Sequence, residues 1–115
     1  MLTILHNPRC SKSRQALALL QQHQADLTVI DYQKTPLSKA ELTAVVTKLG
    51  ITPRDLLRTK EEAYQSLQLD NSELSDDALL EAMLAQPKLM ERPVIFDDSR
   101  AVIGRPPEKV LELLA

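Results

Sequence analysis

The sequence predicts an α/β protein with a mixed sheet, in which a βαβ unit and a ββα unit enclose a helical segment. Two short apolar runs, at residues 2–5 and 27–32, flank a helical pattern at 11–24, and this order is typical of a parallel βαβ unit. Helical patterns without strand character fill residues 36–90. Strand character returns at 93–103, ahead of a final helical pattern.

The first half of the chain has a recognisable signal for each element. The strand at 2–5 is apolar, and the strand at 27–32 is rich in β-branched residues. Apolar residues recur at helical spacing between them, and Ser11 is the expected N-cap of that helix.

The middle segment is expected to form a series of helices. Ser38 followed by Glu41 three residues later is the capping-box pattern, and Gly50 is the expected end of that helix. Further helical stretches are predicted to begin at Pro53, Lys60 and Ala78.

The last part of the chain predicts a hairpin and a helix. Strands at 93–96 and 101–103 flank a polar turn and should pair antiparallel. Pro106 and Pro107 are expected to open an α-helix over 108–114. Its expected core-facing residues are Val110, Leu111 and Leu114. Together the elements predict a thioredoxin-like fold with a helical insertion at about 36–90, in a single domain spanning 1–115.

Composition excludes several classes of protein. The 115 residues carry a net charge of −2 with one Phe, two Tyr and no Trp, which argues against nucleic-acid binding by charge or base stacking. No run approaches the roughly 18 apolar residues of a membrane span, no leader peptide is apparent, and the two His and one Cys lack metal-site spacing. A single free thiol suits a reducing compartment, so we expect a cytoplasmic protein. We also expect a monomer without bound metal or cofactor.

Cys10 is the residue whose sequence context most clearly indicates chemical reactivity. It follows the first strand and a short polar turn, His6-Asn7-Pro8-Arg9, and directly precedes the first helix. Unpaired N–H groups and the dipole at a helix N-terminus favour a thiolate and can also bind a tetrahedral oxyanion. The sequence therefore predicts a nucleophile and an anion cradle on one loop. The alternative is that Cys10 is only a small buried side chain.

Three arginines stand at unusual positions and could neutralise such an anion. Arg58 follows a Leu-Leu pair, Arg92 precedes Pro93, and Arg105 leaves the last strand. A guanidinium matches a tetrahedral oxyanion because it can donate two parallel hydrogen bonds. In a thioredoxin-like layout the residue before the third strand's proline lies close to the thiol, which predicts a cis Arg92–Pro93 bond.

Four motifs together resemble the glutaredoxin-dependent arsenate reductase family, in particular its YfgD-like branch. They are His6-Asn7-Pro8-Arg9-Cys10-Ser11-Lys12-Ser13-Arg14, Leu56-Leu57-Arg58, Lys88-Leu89-Met90-Glu91-Arg92-Pro93 and Ile103-Gly104-Arg105-Pro106-Pro107-Glu108. They occur in the family's order and cover residues 2–114 without large gaps.

The resemblance implies a function and a set of site residues. It implies that Cys10 attacks arsenate, that Arg58, Arg92 and Arg105 bind the oxyanion, and that His6 assists ionisation of the thiol. Glutathione would be the co-substrate and glutaredoxin the protein partner.

The remaining residues of the loop have expected roles as well. Ser11 and Ser13 are expected to cap the helix or to donate hydrogen bonds to the anion. Asn7 is expected to organise the turn, and Pro93 to support the loop.

Two alternatives remain open at this point. The same fold family includes Spx-like regulators, which bind RNA polymerase and switch through a Cys-x-x-Cys disulfide, and here Ser13 replaces the second cysteine. A reductase-like protein acting on another substrate is the other alternative.

Overall fold

A computed structural model describes residues 2–23 and 26–114 of the chain. The chain divides into two compact units, Met1–Thr35 with Arg92–Ala115 and Pro36–Glu91. The single domain expected over residues 1–115 stays a prediction. The described elements of the first unit are β1 (Leu2–His6), α1 (Ser11–Gln22), β2 (Leu27–Asp31), β3 (Val94–Phe96), β4 (Ala101–Ile103) and a 3₁₀ helix (Pro107–Leu114). Those of the second are α2 (Lys39–Leu49), α3 (Glu62–Ser66), α4 (Asp76–Ala85) and the 3₁₀ helices Pro53–Leu56 and Pro87–Leu89.

The strands of the first unit form one mixed sheet in the order β2-β1-β3-β4. Strand β1 pairs with β2 in parallel, with Leu2 opposite Leu27, and β3 pairs antiparallel with both β1 and β4. The predicted βαβ unit and the predicted antiparallel hairpin of β3 and β4 are therefore confirmed, as is the thioredoxin-like mixed α/β class.

Apolar residues of this sheet, of α1 and of the last helix form the core of the first unit. Its buried members are Leu2, Ile4, Ala16, Leu20, Ile95, Val110 and Leu113. Burial of this apolar surface stabilises the packing of α1 against β1 and β3.

The last helix differs from its prediction. Pro107–Leu114 is a 3₁₀ helix, with three residues per turn, so that Pro107, Val110 and Leu113 share one buried face. The prediction that Leu114 faces the core was wrong, because it assumed α-helical spacing, and Leu114 is 38% exposed. Leu111 is partly buried and packs against the cluster.

The start of α1 also differs from expectation. Cys10 is the N-cap residue, Ser11 is the first residue of the helix and Ser13 lies inside its first turn, so the expected capping roles of Ser11 and Ser13 were wrong. The helix ends at Gln22, and Gln24, its predicted last residue, lies outside the described residues.

The second unit follows its predicted caps more closely than its predicted helix lengths. Ser38 and Glu41 form the capping box of α2, and Gly50 ends that helix with a left-handed φ of 69°. The Ser75 hydroxyl accepts the Ala78 N–H at the start of α4. The stretch expected to begin at Pro53 as an α-helix is a single 3₁₀ turn.

In the described part of the chain, no helix combines the length and apolar character that crossing a membrane requires.

Candidate functional site

The sheet brings three parts of the first unit to one edge. Strand β1 ends at His6, and its register with β3 places Leu5 opposite Val94. Strand β4 ends where β3 begins, since Val94 lies opposite Ile103. The loop that follows β1, the Arg92-Pro93 segment before β3 and the Gly104-Arg105 segment after β4 therefore leave the sheet side by side.

Cys10 stands between this loop and α1. Its backbone is extended, with φ −96° and ψ 123°, while its carbonyl already accepts the N–H of Arg14 as the first helical hydrogen bond. Its own N–H donates to the carbonyl of Asn7 at 3.0 Å. As the N-cap residue, it lies beside first-turn N–H groups that have no carbonyl one turn earlier in the helix. The thiol is buried, with 9% of the residue exposed, and forms no disulfide.

A buried polar cluster holds the loop around Cys10. The Ser13 hydroxyl lies 2.7 Å from Nδ1 of His6 and accepts the backbone N–H of Asn7 at 3.0 Å. His6, Asn7 and Ser13 are 7%, 6% and 0% exposed, respectively. The end of β1 is thereby joined to the first turn of α1 across the loop that carries Cys10.

Burial lowers the pKa of His6 below its usual value of 6.5. The positive charge of Arg14 lowers the same pKa, whereas the carboxylate of Asp31, which lies opposite His6 in the sheet, acts in the raising direction. Desolvation is the largest of these effects, so the neutral imidazole is favoured at neutral pH.

Two further hydrogen bonds shape the loop. The side-chain oxygen of Asn7 accepts the N–H of Arg9 at 3.0 Å, which is the geometry of an Asx turn. The guanidinium of Arg14 donates to the carbonyl of Pro8 at 2.9 Å. Arg14 therefore braces the loop from the first turn of α1.

Arg92 and Arg105 lie at the base of the β3–β4 hairpin. Nε of Arg105 donates to the Arg92 carbonyl at 2.8 Å. The Gly104 N–H donates to the Pro93 carbonyl at 2.8 Å, and a Cβ on Gly104 would lie only 2.8 Å from Cγ of Pro93. Glycine is therefore required here by close packing. The Arg92–Pro93 bond is cis, which confirms that prediction.

Arg58 lies in the second unit, among acidic side chains. Its N–H donates to the Leu89 carbonyl at 2.7 Å, next to a β-bridge between Leu57 and Met90. Its guanidinium lies 2.6 Å from the Glu61 carboxylate and 3.9 Å from that of Glu91. The role of Arg58 as an anion ligand stays a prediction.

Sequence reasoning missed the contacts of Ser13 and Glu61. A usable signal existed for Ser13, because Ser13, Ala16 and Leu20 are the buried residues of α1 and recur at helical spacing. That spacing places Ser13 on the inner face of the helix. Glu61 offered a weaker signal, three residues after Arg58, since such pairs are common on solvated surfaces.

No metal site accompanies the thiol in the described residues. Across 2–23 and 26–114, no three or more His, Cys, Asp or Glu side chains are grouped so that they could hold a metal ion. The chemistry that this edge of the sheet offers is that of a thiol, a histidine and two arginines.

Comparisons with known proteins agree with these features. The family model of the ArsC family matches residues 5–113. Among curated proteins, the chain is 47% identical over 112 residues to the uncharacterized protein YfgD of Escherichia coli (strain K12), covering 96% of this chain and 94% of YfgD. It is 46% identical over 112 residues to the arsenate reductase of Haemophilus influenzae (strain ATCC 51907 / DSM 11121 / KW20 / Rd), covering 96% of this chain and 97% of that protein.

A solved structure shows the same fold. The arsenate reductase from Vibrio cholerae superposes with a TM-score of 0.93 at 48% sequence identity, covering 96% of this chain and 95% of that one. The family match spans nearly the whole chain and includes the Cys10 loop and both arginines of the hairpin. The chain belongs to the ArsC family.

Proposed function

We propose that this protein is an arsenate reductase that uses the Cys10 thiolate as its nucleophile and glutathione and glutaredoxin as its reductants. The observation that carries the proposal is the position of Cys10 as the N-cap residue of α1. A thiolate there and an oxyanion at the adjacent N–H groups would both be stabilised by the helix N-terminus. The arsenate reductases among the relatives supply the substrate class.

The proposed reaction uses one protein thiol and one external thiol. The Cys10 sulfur bonds to arsenic, and one arsenate oxygen leaves as water after protonation. Glutathione sulfur then attacks the Cys10 sulfur, and the electron pair of the sulfur–arsenic bond stays on arsenic. Arsenic(V) thereby becomes arsenic(III), arsenite leaves, and Cys10 remains as a mixed disulfide with glutathione.

A further external thiol is needed to complete the cycle. Cys10 is the only cysteine in the sequence, so no second protein thiol can resolve the mixed disulfide. Glutaredoxin would attack the glutathione sulfur and return Cys10 to its reduced form. Because the cycle requires reduced thiols, we place it in the cytoplasm.

The roles of the surrounding residues follow from their positions. We assign neutralisation of the oxyanion to Arg92 and Arg105, which leave the sheet at the same edge as the Cys10 loop. The resemblance assigns Arg58 to the same anion, and that assignment remains a prediction. We also expect the first turn of α1, which includes Ser11, to contribute hydrogen-bond donors to the anion.

The test is arsenate-dependent oxidation of NADPH in a coupled assay with glutathione, glutaredoxin and glutathione reductase. We expect turnover by the native protein and none by Cys10→Ser, because a serine hydroxyl is not ionised at neutral pH. Omitting glutaredoxin should greatly slow NADPH oxidation, because only free glutathione is then left to resolve the mixed disulfide.

The control is a thiol titration showing that Cys10 of the native protein is reduced. A reduced, folded protein without turnover would overturn the assignment to arsenate. It would direct attention to other oxyanions or to a protein partner such as RNA polymerase.

A further inference from the structure

The polar cluster behind Cys10 determines where the protons of its side chains lie. A serine hydroxyl has one proton to donate and lone pairs to accept. The Asn7 N–H donates to the Ser13 oxygen, so it can use only a lone pair. The hydroxyl proton is thus left for another acceptor, and Nδ1 of His6 lies 2.7 Å away.

The opposite arrangement would leave a buried donor without an acceptor. If Nδ1 carried the proton, it would donate to the Ser13 oxygen, which already accepts from Asn7. The Ser13 hydroxyl would then need a second acceptor, and within residues 2–23 and 26–114 its hydrogen bonds are those to His6 and Asn7. Ser13 is fully buried, so a hydroxyl proton without an acceptor is strongly disfavoured.

We infer that Ser13 is a positioning residue that donates its hydroxyl proton to Nδ1 of His6 and holds the imidazole with its own proton on Nε2. Protonating the neutral ring would add its second proton at Nδ1, which faces the donating Ser13 hydroxyl. The same contact therefore favours the neutral ring. The lowered pKa of His6 agrees with this. His6 then supports the Cys10 loop as a neutral hydrogen-bonding group and contributes no full positive charge to the thiolate.

The chain contains an internal reference for this assignment. It has two histidines, and Nδ1 of His23 lies 2.9 Å from the carbonyl oxygen of Leu19. A carbonyl can only accept, so Nδ1 of His23 must carry a proton when this contact is made. We therefore predict that Nδ1 carries a proton in His23 and carries none in His6.

The direct test is the long-range ¹H–¹⁵N correlation spectrum of the imidazole rings in reduced, ¹⁵N-labelled protein at pH 8. It separates nitrogens that carry a proton from those that do not. His23→Gln removes one ring and assigns the other. We expect the His6 spectrum to show a proton-free Nδ1 and a protonated Nε2, without averaging between tautomers.

Variants of Ser13 separate the contact from the intrinsic preference of an imidazole. Ser13→Ala removes the donor, and we expect the two His6 nitrogen shifts to move toward the averaged values of exchanging tautomers. Ser13→Thr keeps a hydroxyl and should restore the native pattern. Ser66→Ala removes a hydroxyl from an exposed serine of α3 and should leave the spectrum unchanged.

The catalytic consequence rests on the proposed function, and the spectra do not. In the arsenate assay, we expect Ser13→Ala to lower kcat about tenfold, as loss of a buried hydrogen bond would, and Ser13→Thr to recover most of that loss. A protonated or averaged Nδ1 in native His6, or an unchanged spectrum in Ser13→Ala, would overturn the inference. The expected spectra without arsenate turnover would reject the proposed substrate and leave the assignment of Ser13 in place.

Discussion

Arg105 in the first unit and Arg58 in the second are both predicted anion ligands, yet their guanidinium groups are held in different ways. Nε of Arg105 donates to a backbone carbonyl, that of Arg92. Arg58 instead contacts the carboxylate of Glu61 and lies near that of Glu91. A carbonyl orients a guanidinium without cancelling its charge, whereas a carboxylate does both. The comparison teaches that an anion approaching Arg58 would have to compete with the carboxylates of Glu61 and Glu91.

Removing Arg105 should have the largest effect on activity. We expect Arg105→Ala to lower kcat by a factor of about 10² to 10³, by analogy with the loss of one oxyanion-hole donor. The coupled arsenate assay measures this, with Arg100→Ala in the exposed β3–β4 turn as the matched control. An equal loss in both variants would show that the effect is one of overall charge and would remove the special role of the hairpin base.

The two glycines of the chain, one in each unit, should respond to alanine for different reasons. In Gly104→Ala the new Cβ would lie 2.8 Å from Pro93 and 3.0 Å from Val110, and we expect a loss of about 1–3 kcal/mol of unfolding free energy from overpacking. Gly50 has open space but a φ of 69°, so Gly50→Ala should lose about 1–2 kcal/mol through backbone strain.

Urea unfolding measures both values, and the arsenate assay adds a second readout. The change at Gly104 should also reduce activity, since it displaces the hairpin base, whereas the change at Gly50 should not. An activity loss confined to Gly50→Ala would reverse this comparison of the two units.

Glu61→Gln should sharpen the difference between the arginines by a smaller amount. Removing the carboxylate leaves more of the Arg58 charge available to an anion, so we expect KM for arsenate to fall by a factor of up to about five, as for a partly exposed ion pair worth 0.2–1 kcal/mol. Glu62→Gln, one residue along and exposed, is the control. A rise in KM would mean that Glu61 serves to orient Arg58 for the anion.

The pH dependence of stability should show the smallest effect, because it is absent at neutral pH. The pKa of His6 in the folded protein lies below the ordinary value of 6.5, so below that pH the unfolded chain binds a proton that the folded chain does not. Stability should therefore fall as the pH is lowered from 6.5 toward the folded pKa.

Urea unfolding across this pH range checks the slope. We expect His6→Gln to reduce it and His23→Gln, at the exposed end of α1, to leave it in place. Equal slopes in the native protein and His6→Gln would contradict the prediction.

The sequence was most informative where structure depends on neighbours along the chain. The capping box at Ser38 and the left-handed Gly50 depend on residues within one turn, and both were predicted. The position of Cys10 before a helix is local in the same sense. The four motifs also predicted the family, because they occur in the family's order along the chain.

Contacts that depend on tertiary packing were less predictable. The Ser13 hydroxyl contacts a histidine seven residues away on another element, and helix-capping preference alone gave the wrong role to its neighbour Ser11. The last helix adopted 3₁₀ geometry, which moved the buried position from Leu114 to Leu113. In both cases the packing of α1 and the sheet overrode local preference.

The base of the β3–β4 hairpin has a consequence for how this chain tolerates change in length. Arg92 and Arg105 are joined by two short strands that pair residue for residue, so their spacing is set by the ladder and not by the turn at its tip. Asp98 and Ser99 at that tip are exposed. Extra residues inserted there would lengthen only the turn, and the spacing of Arg92 and Arg105 would stay the same.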